Sequence, residues 1–352
     1  MVSDISSVQT VQLTYGRAVT AALRRALSEL PDTILYGEDV GKPGGVFGIS
    51  KDLQRDFGER VFDTPISETA MLGAGVGAAM TGLRPIVEIM WMDFSLVAVD
   101  QIVNQAANVR YVSAGRLKAP LTIRTQQGAL PGSCAQHSQN LEALYAHIPG
   151  LIVGLPATAQ DAYSMLLAGI VSDDPTLIIE NRGLYYENEQ AVDVGGPVES
   201  VGGARIERAG TDVTILTWSA MLFRALAAAG RLASEGVSAE VVNARWLTPF
   251  DWSTLLKSVR KTRRLIVVHE AVVTGGFGAE VSARVSRELF GELVAPVDRL
   301  GVPDCRIPSA PHLQAALIPD VDAIAARARE MVRDSVGRGS VMAEGMRVAN
   351  VS

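Results

Sequence analysis

Cysteines and basic residues are scarce in this sequence, and their scarcity excludes several classes of protein. Cys134 and Cys305 are the only cysteines, and neither has a paired-cysteine or Cys/His spacing, which excludes a disulfide framework and the common zinc motifs. Lys and Arg number 32 against 38 Asp and Glu, so the net charge of -6 provides no positive field for nucleic acid or an anionic membrane. We therefore expect the partner to be a small molecule or another protein.

Long apolar runs are also missing. The first residues, MVSDISSVQTVQLTYG, contain neither the basic stretch nor the apolar core of a signal peptide. No later stretch reaches the roughly 18 uncharged apolar residues of a membrane span. Together with the two unpaired cysteines, which suit a reducing compartment, these features predict a cytoplasmic protein.

Aliphatic residues and glycines, by contrast, are plentiful. The chain is 48% hydrophobic but only 5% aromatic, and it contains 33 glycines, a composition that suits a close-packed α/β protein. Its 352 residues exceed the size of one ordinary hydrophobic core, so two domains are expected.

Helical and strand patterns alternate along the chain. Apolar residues recur at helical spacing between Thr14 and Leu30, and TILYGEDV follows as a strand. The alternation continues with a helix at about 67–81, the strand RPIVEIM, a helix through VAVDQIVNQAANVRYVS and the strand APLTIRT. Apolar strands that alternate with helices favour a mainly parallel sheet covered on both faces, so we predict an α/β fold with two such domains.

The domain boundary is predicted in a polar segment. Residues from Tyr185 to Gly203 are rich in Glu and Gly, and a second series of apolar strands begins after them. We therefore predict domains at 1–202 and 203–335. The last stretch, 336–352, lacks a core-forming period and is expected to be a flexible tail or an arm docked on a partner.

Glu68 is the first candidate for a chemical role. In DTPISETAMLGAGVGAAMTG, Thr64 or Ser67 is suited to cap a helix, and Pro65 fits the first helical position. Glu68 then falls in the first turn, where an acid stabilises the helix dipole by roughly 0.3–1 kcal/mol. On this segment alone, that structural role is the simpler interpretation.

Three more candidate residues follow predicted strands. Asp93 and Phe94 come after RPIVEIM, at the edge where open α/β sheets bind ligands, although an aromatic residue there also suits the core. His137 lies in the irregular loop TQQGALPGSCAQHSQ. A general acid, a hydrogen-bond donor and a merely solvated histidine are all open interpretations of it.

Glycines cluster at 73–77 and 275–278. The first cluster lies inside a predicted helix rather than in a strand-to-helix turn, so close helix packing explains it better than dinucleotide binding. The second lies between a strand and a helix, where backbone N–H groups could cradle a phosphate. It lacks a P-loop lysine, so a tight turn is the simpler role.

Five motifs in series resemble one known family. In order they are DTPISE, GAAMTGLRPIVEIM, DQIVNQAAN, AQHSQ followed by HIPGL, and RLIVVHEAVVTGGFGAEV. At this spacing they resemble the β subunit of the E1 component of 2-oxo acid dehydrogenases, which depends on thiamine diphosphate. The likeness extends over about 14–325, and several motifs in one order are far more specific than any one of them.

The resemblance implies a shared active site. Such β subunits have a pyrimidine-binding domain followed by a transketolase-type carboxy-terminal domain, and they assemble with an α subunit as an α2β2 heterotetramer. The α subunit holds the diphosphate and its Mg²⁺ through a GDG…N motif, and this sequence contains no GDG. The acyl group passes to a lipoyl-bearing E2 acyltransferase. Relatives also bind a monovalent cation such as K⁺, largely through backbone carbonyls, a point that sequence leaves open.

Four residues carry roles over from the family. Glu68 matches the acid that hydrogen-bonds N1′ of the aminopyrimidine, and Phe94 matches the aromatic residue that packs on that ring. His137 matches the histidine that faces the substrate or the incoming lipoyl group. Glu38, in YGEDV, matches an acidic position near the cofactor. The resemblance thus implies Glu68 and His137 as catalytic residues, and Glu68, Phe94 and Glu38 as cofactor-binding residues.

The substrate is not defined at this level. Val97 stands where some pyruvate-type relatives carry Gln, and SDDP stands where such relatives have DNNP. Asp93 looks as much like acetoin-cleaving or branched-chain relatives as pyruvate ones. The leading prediction is oxidative decarboxylation of pyruvate or a branched-chain 2-oxo acid, and an acetoin dehydrogenase β subunit is the alternative. A split transketolase and a non-catalytic assembly subunit are more remote.

Overall fold

The computed structural model of the protein describes residues 8–333. The tail predicted at 336–352 therefore lies outside the described residues. None of the described helices is long and apolar enough to cross a lipid bilayer.

Helices and strands alternate through most of the described chain. The helices are α1 (Tyr15–Glu29), α2 (Leu53–Phe57), α3 (Glu68–Met80), α4 (Val109–Val112), α5 (Glu142–Ala146), α6 (Ala159–Val171), α7 (Met221–Ser234), α8 (Trp252–Thr262), α9 (Phe277–Glu288), α10 (Pro311–Ala315) and α11 (321–333). The strands are β1 (Gln9–Leu13), β2 (Thr33–Gly37), β3 (Val61–Asp63), β4 (Arg84–Ile89), β5 (Thr122–Gln127), β6 (Ile152–Gly154), β7 (Thr176–Asn181), β8 (Gln190–Val194), β9 (Arg205–Arg208), β10 (Val213–Thr217), β11 (Ala239–Asn243), β12 (Trp246–Thr248), β13 (Leu265–Val272) and β14 (Asp298–Val302).

Two compact units make up the described chain. The first contains the described residues up to Gly202 together with Arg245–Phe250 and Arg306–Gln314, and the second contains the rest. The first unit has a seven-stranded sheet in the order β12-β6-β7-β5-β4-β2-β3, and the second has a five-stranded sheet in the order β14-β13-β10-β11-β9. Only β12 and β9 run antiparallel to their neighbours in these sheets, so the predicted class of two mainly parallel sheets flanked by helices is confirmed.

The first helix follows the sequence pattern closely. Thr14 caps α1, because its Oγ1 accepts the N–H of Arg17 at 3.3 Å. The apolar face that carries Leu23 and Leu27 is buried against α6. α6 itself begins with a capping box, in which Thr158 and Asp161 satisfy each other's backbone N–H groups.

Residues from beyond position 202 complete the first sheet. β12 pairs antiparallel with β6, and its Trp246 is buried against Gly154, where a Cβ would lie 2.7 Å from the indole ring. Arg245 beside it binds Asp161 of the α6 capping box at 2.9 Å. The apolar stretch VSAEVVNAR therefore forms β11 only as far as Asn243, and the chain then crosses to the other unit.

The helix predicted through VAVDQIVNQAANVRYVS is broken into turns of different pitch. A 3₁₀ turn at Met92–Ala98 leads to a π turn at Gln101–Gln105, a second 3₁₀ turn at Ala106–Asn108 and then α4. One constraint is visible at Gly150, which has a φ of +88° and whose Cβ would lie 2.2 Å from the Ala107 oxygen. The backbone of the HIPGL turn thus contacts the helical run directly, a tertiary contact that periodicity does not reveal.

Three charged side chains are buried side by side in the first sheet. Arg124 on β5 binds Glu88 on β4 at 2.6 Å and Glu180 on β7 at 2.7 and 2.9 Å. Tyr185 donates its hydroxyl to Glu180 at 2.5 Å. Desolvation raises the pKa of Glu88, and Arg124 opposes that shift. The cluster ties three neighbouring strands together beneath the edge where the candidate site lies.

His269 is buried in the second unit, on β13. Its ring stacks on Trp218 with centroids 5.4 Å apart, and its Nδ1 lies 3.1 Å from the Ala271 oxygen. A Cβ on Gly278 would lie 2.9 Å from its Nε2. Close packing against this imidazole therefore accounts for Gly278 in the second glycine cluster.

Acid is expected to weaken folding through His269. Burial lowers the pKa of His269 from 6.5 to about 4. Between these values the unfolded chain binds a proton that the folded chain does not. Folding stability from this group is therefore complete above pH 6.5 and is lost as the pH falls toward 4, by about 3 kcal/mol in all.

Urea unfolding at pH 7 and pH 5 measures this dependence. His269→Phe keeps a flat ring beside Trp218 but cannot titrate, so the stability difference between the two pH values should shrink relative to the unmodified chain. His312→Gln, at an exposed histidine, is the matched control and should leave the difference unchanged. An identical pH dependence in the His269→Phe chain would show that His269 is already protonated or already accessible in the folded state.

Candidate active site

The candidate residues collect at the carboxyl edge of the seven-stranded sheet. Glu38 follows β2, Phe94 follows β4, His137 lies in the loop after β5 and Arg182 follows β7. Because β2, β4, β5 and β7 run parallel, their carboxyl ends lie at the same edge. Glu68 begins α3, the helix that comes after the edge strand β3. This is the edge at which open α/β sheets bind ligands.

Glu68 is a nearly buried carboxyl group at a helix N-terminus. It is the first residue of α3 and its exposed fraction is 7%. Its side chain makes no hydrogen bond or ion pair with any residue in 8–333. Of the two predicted caps, Ser67 is the N-cap residue but makes no side-chain capping bond. The Thr64 hydroxyl is buried without a partner in the described chain, so Thr64 does not cap the helix. Glu68 therefore occupies the helix end without a capping side chain beside it.

Glu38 lies close enough to Glu68 for their charges to interact. Its pKa is raised by desolvation, then by the negative charges of Glu68 and Asp39. Its Oε1 is buried and has no hydrogen-bond partner among the described residues. The nearby negative charge disfavours the ionised form of Glu38, so this carboxyl group keeps its proton more readily than an exposed one.

α3 is fixed to the turn that carries Phe94. Thr69, next to Glu68, donates its hydroxyl to the Val97 oxygen at 2.7 Å, and α3 packs against the Met92–Ala98 turn. Phe94 in this turn is only half-buried. Its ring therefore retains exposed surface on which a flat heterocycle can pack.

His137 is held between two aromatic rings. Its imidazole contacts Trp91 edge-on with centroids 5.1 Å apart, and Phe94 edge-on with centroids 5.5 Å apart. The structure thus brings His137 and Phe94 together, as it brings Glu38 and Glu68 together. Arg182, which is also buried, lies over the Trp91 ring at 4.1 Å.

Trp91 and Arg182 were missed by the sequence analysis. Trp91 comes directly after the segment RPIVEIM, where a tryptophan just beyond a predicted strand was an available signal. Arg182 gave no such signal, because its proximity to Trp91 depends on the pairing of β5 with both β4 and β7.

This arrangement suits a flat, nitrogen-containing ring. Unpaired carboxyl oxygens of Glu38 and Glu68 can accept hydrogen bonds from ring or amino N–H groups, and Phe94 offers an apolar face. The described residues contain no group of three His, Cys, Asp or Glu side chains that could hold a metal ion. A separate cavity of about 940 Å³ is lined mainly by apolar residues of 106–115 and 149–152 and contains none of these candidates.

Comparison with protein families gives two matches along the chain. Residues 11–187 match the transketolase pyrimidine-binding domain, and residues 202–324 match the transketolase C-terminal domain. Glu38, Glu68, Phe94 and His137 all lie within the first of these matches.

Curated relatives are similar over nearly the whole chain. Pyruvate dehydrogenase E1 component subunit beta-2 of Oryza sativa is 43% identical over 92% of this chain and 87% of its own. The acetoin:2,6-dichlorophenolindophenol oxidoreductase subunit beta of Cupriavidus necator is 40% identical over 92% and 98%. Pyruvate dehydrogenase E1 component subunit beta of Bacillus subtilis is 39% identical over 84% and 92%.

A solved structure shows the same fold. A chain described as "Split gene transketolase, inactive beta4 tetramer" has a TM-score of 0.74 with this chain at 24% identity, and the match covers 92% of this chain and 99% of that one. At this identity the likeness supports the fold alone.

Proposed function

Because the chain belongs to the family of E1 β subunits of thiamine-diphosphate-dependent dehydrogenases, with transketolase-type pyrimidine-binding and C-terminal domains, we propose that it forms half of an active site that decarboxylates 2-oxo acids. The resemblance predicted from the motifs is thereby confirmed. The carrying observation is the carboxyl pair of Glu38 and Glu68 at the carboxyl edge of the pyrimidine-binding domain.

The residues fit the aminopyrimidine half of thiamine diphosphate. In this proposal Glu68 holds a proton on N1′ of that ring, since its carboxyl group is nearly buried and has no partner in the described chain. Glu38, whose pKa is raised by desolvation and then by the charge of Glu68, is a second carboxyl group beside that ring. Phe94 packs on the ring face. When bound, thiamine diphosphate supplies the nucleophilic carbon and the electron sink for decarboxylation.

His137 is assigned to the substrate side of the site. Its ring is fixed edge-on by Trp91 and Phe94, so its nitrogen atoms are oriented by packing rather than by solvent. We propose that it donates a hydrogen bond or proton to the substrate or to the incoming lipoyl group. The acyl acceptor is then a lipoyl-bearing E2 acyltransferase.

The other half of the site is assigned to an α subunit. The diphosphate and Mg²⁺ ligands of this proposal lie on that subunit, because the GDG…N motif that would hold them is missing from this sequence. The assembly is an α2β2 heterotetramer, and a K⁺ ion bound by backbone carbonyls is left to direct measurement. The same proposal includes the domain limits 1–202 and 203–335. It also includes a cytoplasmic location, which cell fractionation can test.

Co-expression with the α subunit tests the proposal. The purified pair is expected to bind thiamine diphosphate with Mg²⁺ and to release CO2 from pyruvate or a branched-chain 2-oxo acid, while the β chain alone does neither. Tight cofactor binding and turnover by the β chain alone would contradict the shared site. Calorimetry for binding and a CO2-release assay with a panel of 2-oxo acids are the measurements.

Acetoin is the second candidate substrate. The specific observation is the Cupriavidus necator relative, which is 40% identical over 98% of its own length and is named for acetoin. The same α/β pair should be assayed with acetoin and an artificial electron acceptor. Turnover of acetoin at least tenfold faster than that of every 2-oxo acid would assign the chain to the acetoin branch.

A further inference from the structure

Asp93 lies in the sequence between Trp91 and Phe94, the two residues whose rings hold His137. It follows Trp91 by two residues and precedes Phe94, and its exposed fraction is 8%. Its Oδ1 accepts two hydrogen bonds from Gln139, one from the backbone N–H at 3.3 Å and one from the side-chain Nε2 at 2.9 Å. A single carboxyl oxygen thus binds a residue two positions after His137.

The other end of Gln139 is also held. Its Oε1 accepts a hydrogen bond from the Arg306 guanidinium at 2.5 Å, and Arg306 belongs to the segment that completes the first unit. The orientation of the Gln139 amide is therefore fixed, because its nitrogen faces Asp93 and its oxygen faces Arg306. The loop after β5 cannot shift along the Phe94 turn without breaking these bonds.

Only one of the two carboxyl oxygens of Asp93 is hydrogen-bonded within the described chain. Its Oδ2 is buried and has no hydrogen-bond partner among the described residues. Burying a polar oxygen without a donor costs free energy, and the two hydrogen bonds to Oδ1 offset that cost. The chain places a carboxyl group here, at the point where the His137 loop meets the Phe94 turn.

We propose that Asp93 is a positioning residue that acts through Gln139 to hold His137 against Trp91 and Phe94. The inference rests on the role proposed above for His137. The two hydrogen bonds to Oδ1 fix the loop backbone two residues from the imidazole, and the aromatic edges fix its ring. A displacement of about 1 Å at such a group can lower a rate roughly 100-fold.

The position of His137 can be measured without any assay of activity. The chain has four histidines, so a full-length chain labelled with ¹³C at histidine Cε1 gives four signals, and His137→Gln identifies the one from His137. Trp91 and Phe94 rings about 5 Å away shift that signal through their ring currents. Asp93→Ala is expected to move it toward the position of an exposed histidine and to leave the other three in place.

Two further variants separate positioning from misfolding. Asp93→Asn keeps an oxygen that can accept from Gln139 and is expected to retain the native His137 signal. Gln139→Leu removes the side-chain donor from the other side and is expected to move the signal as Asp93→Ala does. Asp193→Ala removes an exposed carboxyl group that accepts a bond from Thr10, and as the matched control it should leave all four signals unchanged.

Kinetics of the assembled α/β enzyme complete the test. Asp93→Ala is expected to lower kcat/KM for the acyl acceptor about 10- to 100-fold, and Asp93→Asn to restore it to within about threefold. An unchanged His137 signal in Asp93→Ala overturns the positioning role. If His137→Gln abolishes turnover, a displaced His137 signal in Asp93→Ala with unchanged turnover overturns it as well. If His137→Gln itself leaves turnover unchanged, the role proposed for His137 fails, while the signals still decide whether Asp93 positions it.

Discussion

Glu68→Gln is expected to lower decarboxylation by the assembled α/β enzyme by about 100- to 10,000-fold, the range lost when a positioned acid or base is removed. The glutamine side chain has nearly the same shape and can still hydrogen-bond, but it cannot take up and release a proton. Glu68 is 7% exposed, and no other side chain in the described chain is hydrogen-bonded to it. No bonded neighbour can therefore take over its proton transfer in the glutamine variant. Steady-state CO2 release and calorimetric binding of thiamine diphosphate measure the two effects separately.

Glu280→Gln is the matched control for this substitution. Glu280 is also an acid in the first turn of a helix, α9, but it is exposed. If Glu68 served only the dipole of α3, both variants would lose at most about 1 kcal/mol of stability and neither would lose turnover. Unchanged decarboxylation in Glu68→Gln, with every tested 2-oxo acid and with acetoin, would refute the catalytic assignment of Glu68.

Arg124→Leu is expected to destabilise the chain by about 3–5 kcal/mol, because it leaves buried carboxyl groups without their cation. Arg124 is fully buried, and both Glu88 and Glu180 bind it from neighbouring strands. After the substitution these two acids must either take up protons or remain charged in a low-dielectric core. Thermal and urea unfolding of the full chain, followed by circular dichroism, measure the loss.

Two comparisons give this prediction its specificity. Arg55→Leu removes an arginine whose ion pairs with Asp52 and Asp56 are exposed, and it should leave the unfolding midpoint unchanged. The triple variant Glu88→Gln, Arg124→Leu, Glu180→Gln removes all three charges and should recover part of the loss. A midpoint shift no larger for Arg124→Leu than for Arg55→Leu would show that the buried cluster does not stabilise the sheet.

Several features of the fold follow from sequence pattern. The apolar spacing that begins at Thr14 predicts a helix there, and Thr14 caps α1. The apolar strands around Ile86 and Ile123 pair in parallel. These features depend on side-chain spacing and on local hydrogen bonds, which the sequence contains in full. The run 97–113 shows the limit, because its apolar spacing predicts one helix while contact with Gly150 accompanies a change in its pitch.

The candidate site divides in the same way. Glu68 and His137 lie in the ordered series of motifs, and Phe94 lies between two of them. The family that the motifs indicate is confirmed by the matches over 11–187 and 202–324. Their roles remain predictions that the experiments above address. Asp93 was expected with Phe94 at the ligand-binding edge, but its bonds to Gln139 were not predicted. Arg306 was not predicted either, since it lies 167 residues from the Gln139 that it binds.

The sequence by itself determined the alternation of helices and strands, the family, and the residues with which a cofactor search should begin. Tertiary structure decided how those residues are used. Parallel strand pairing places Glu38, Phe94 and His137 at one edge, and burial together with the nearby charge of Glu68 raises the pKa of Glu38. The physical reason is distance: spacing along a chain reports neighbours within a few residues, whereas burial and charge interactions depend on neighbours that only the folded chain brings together.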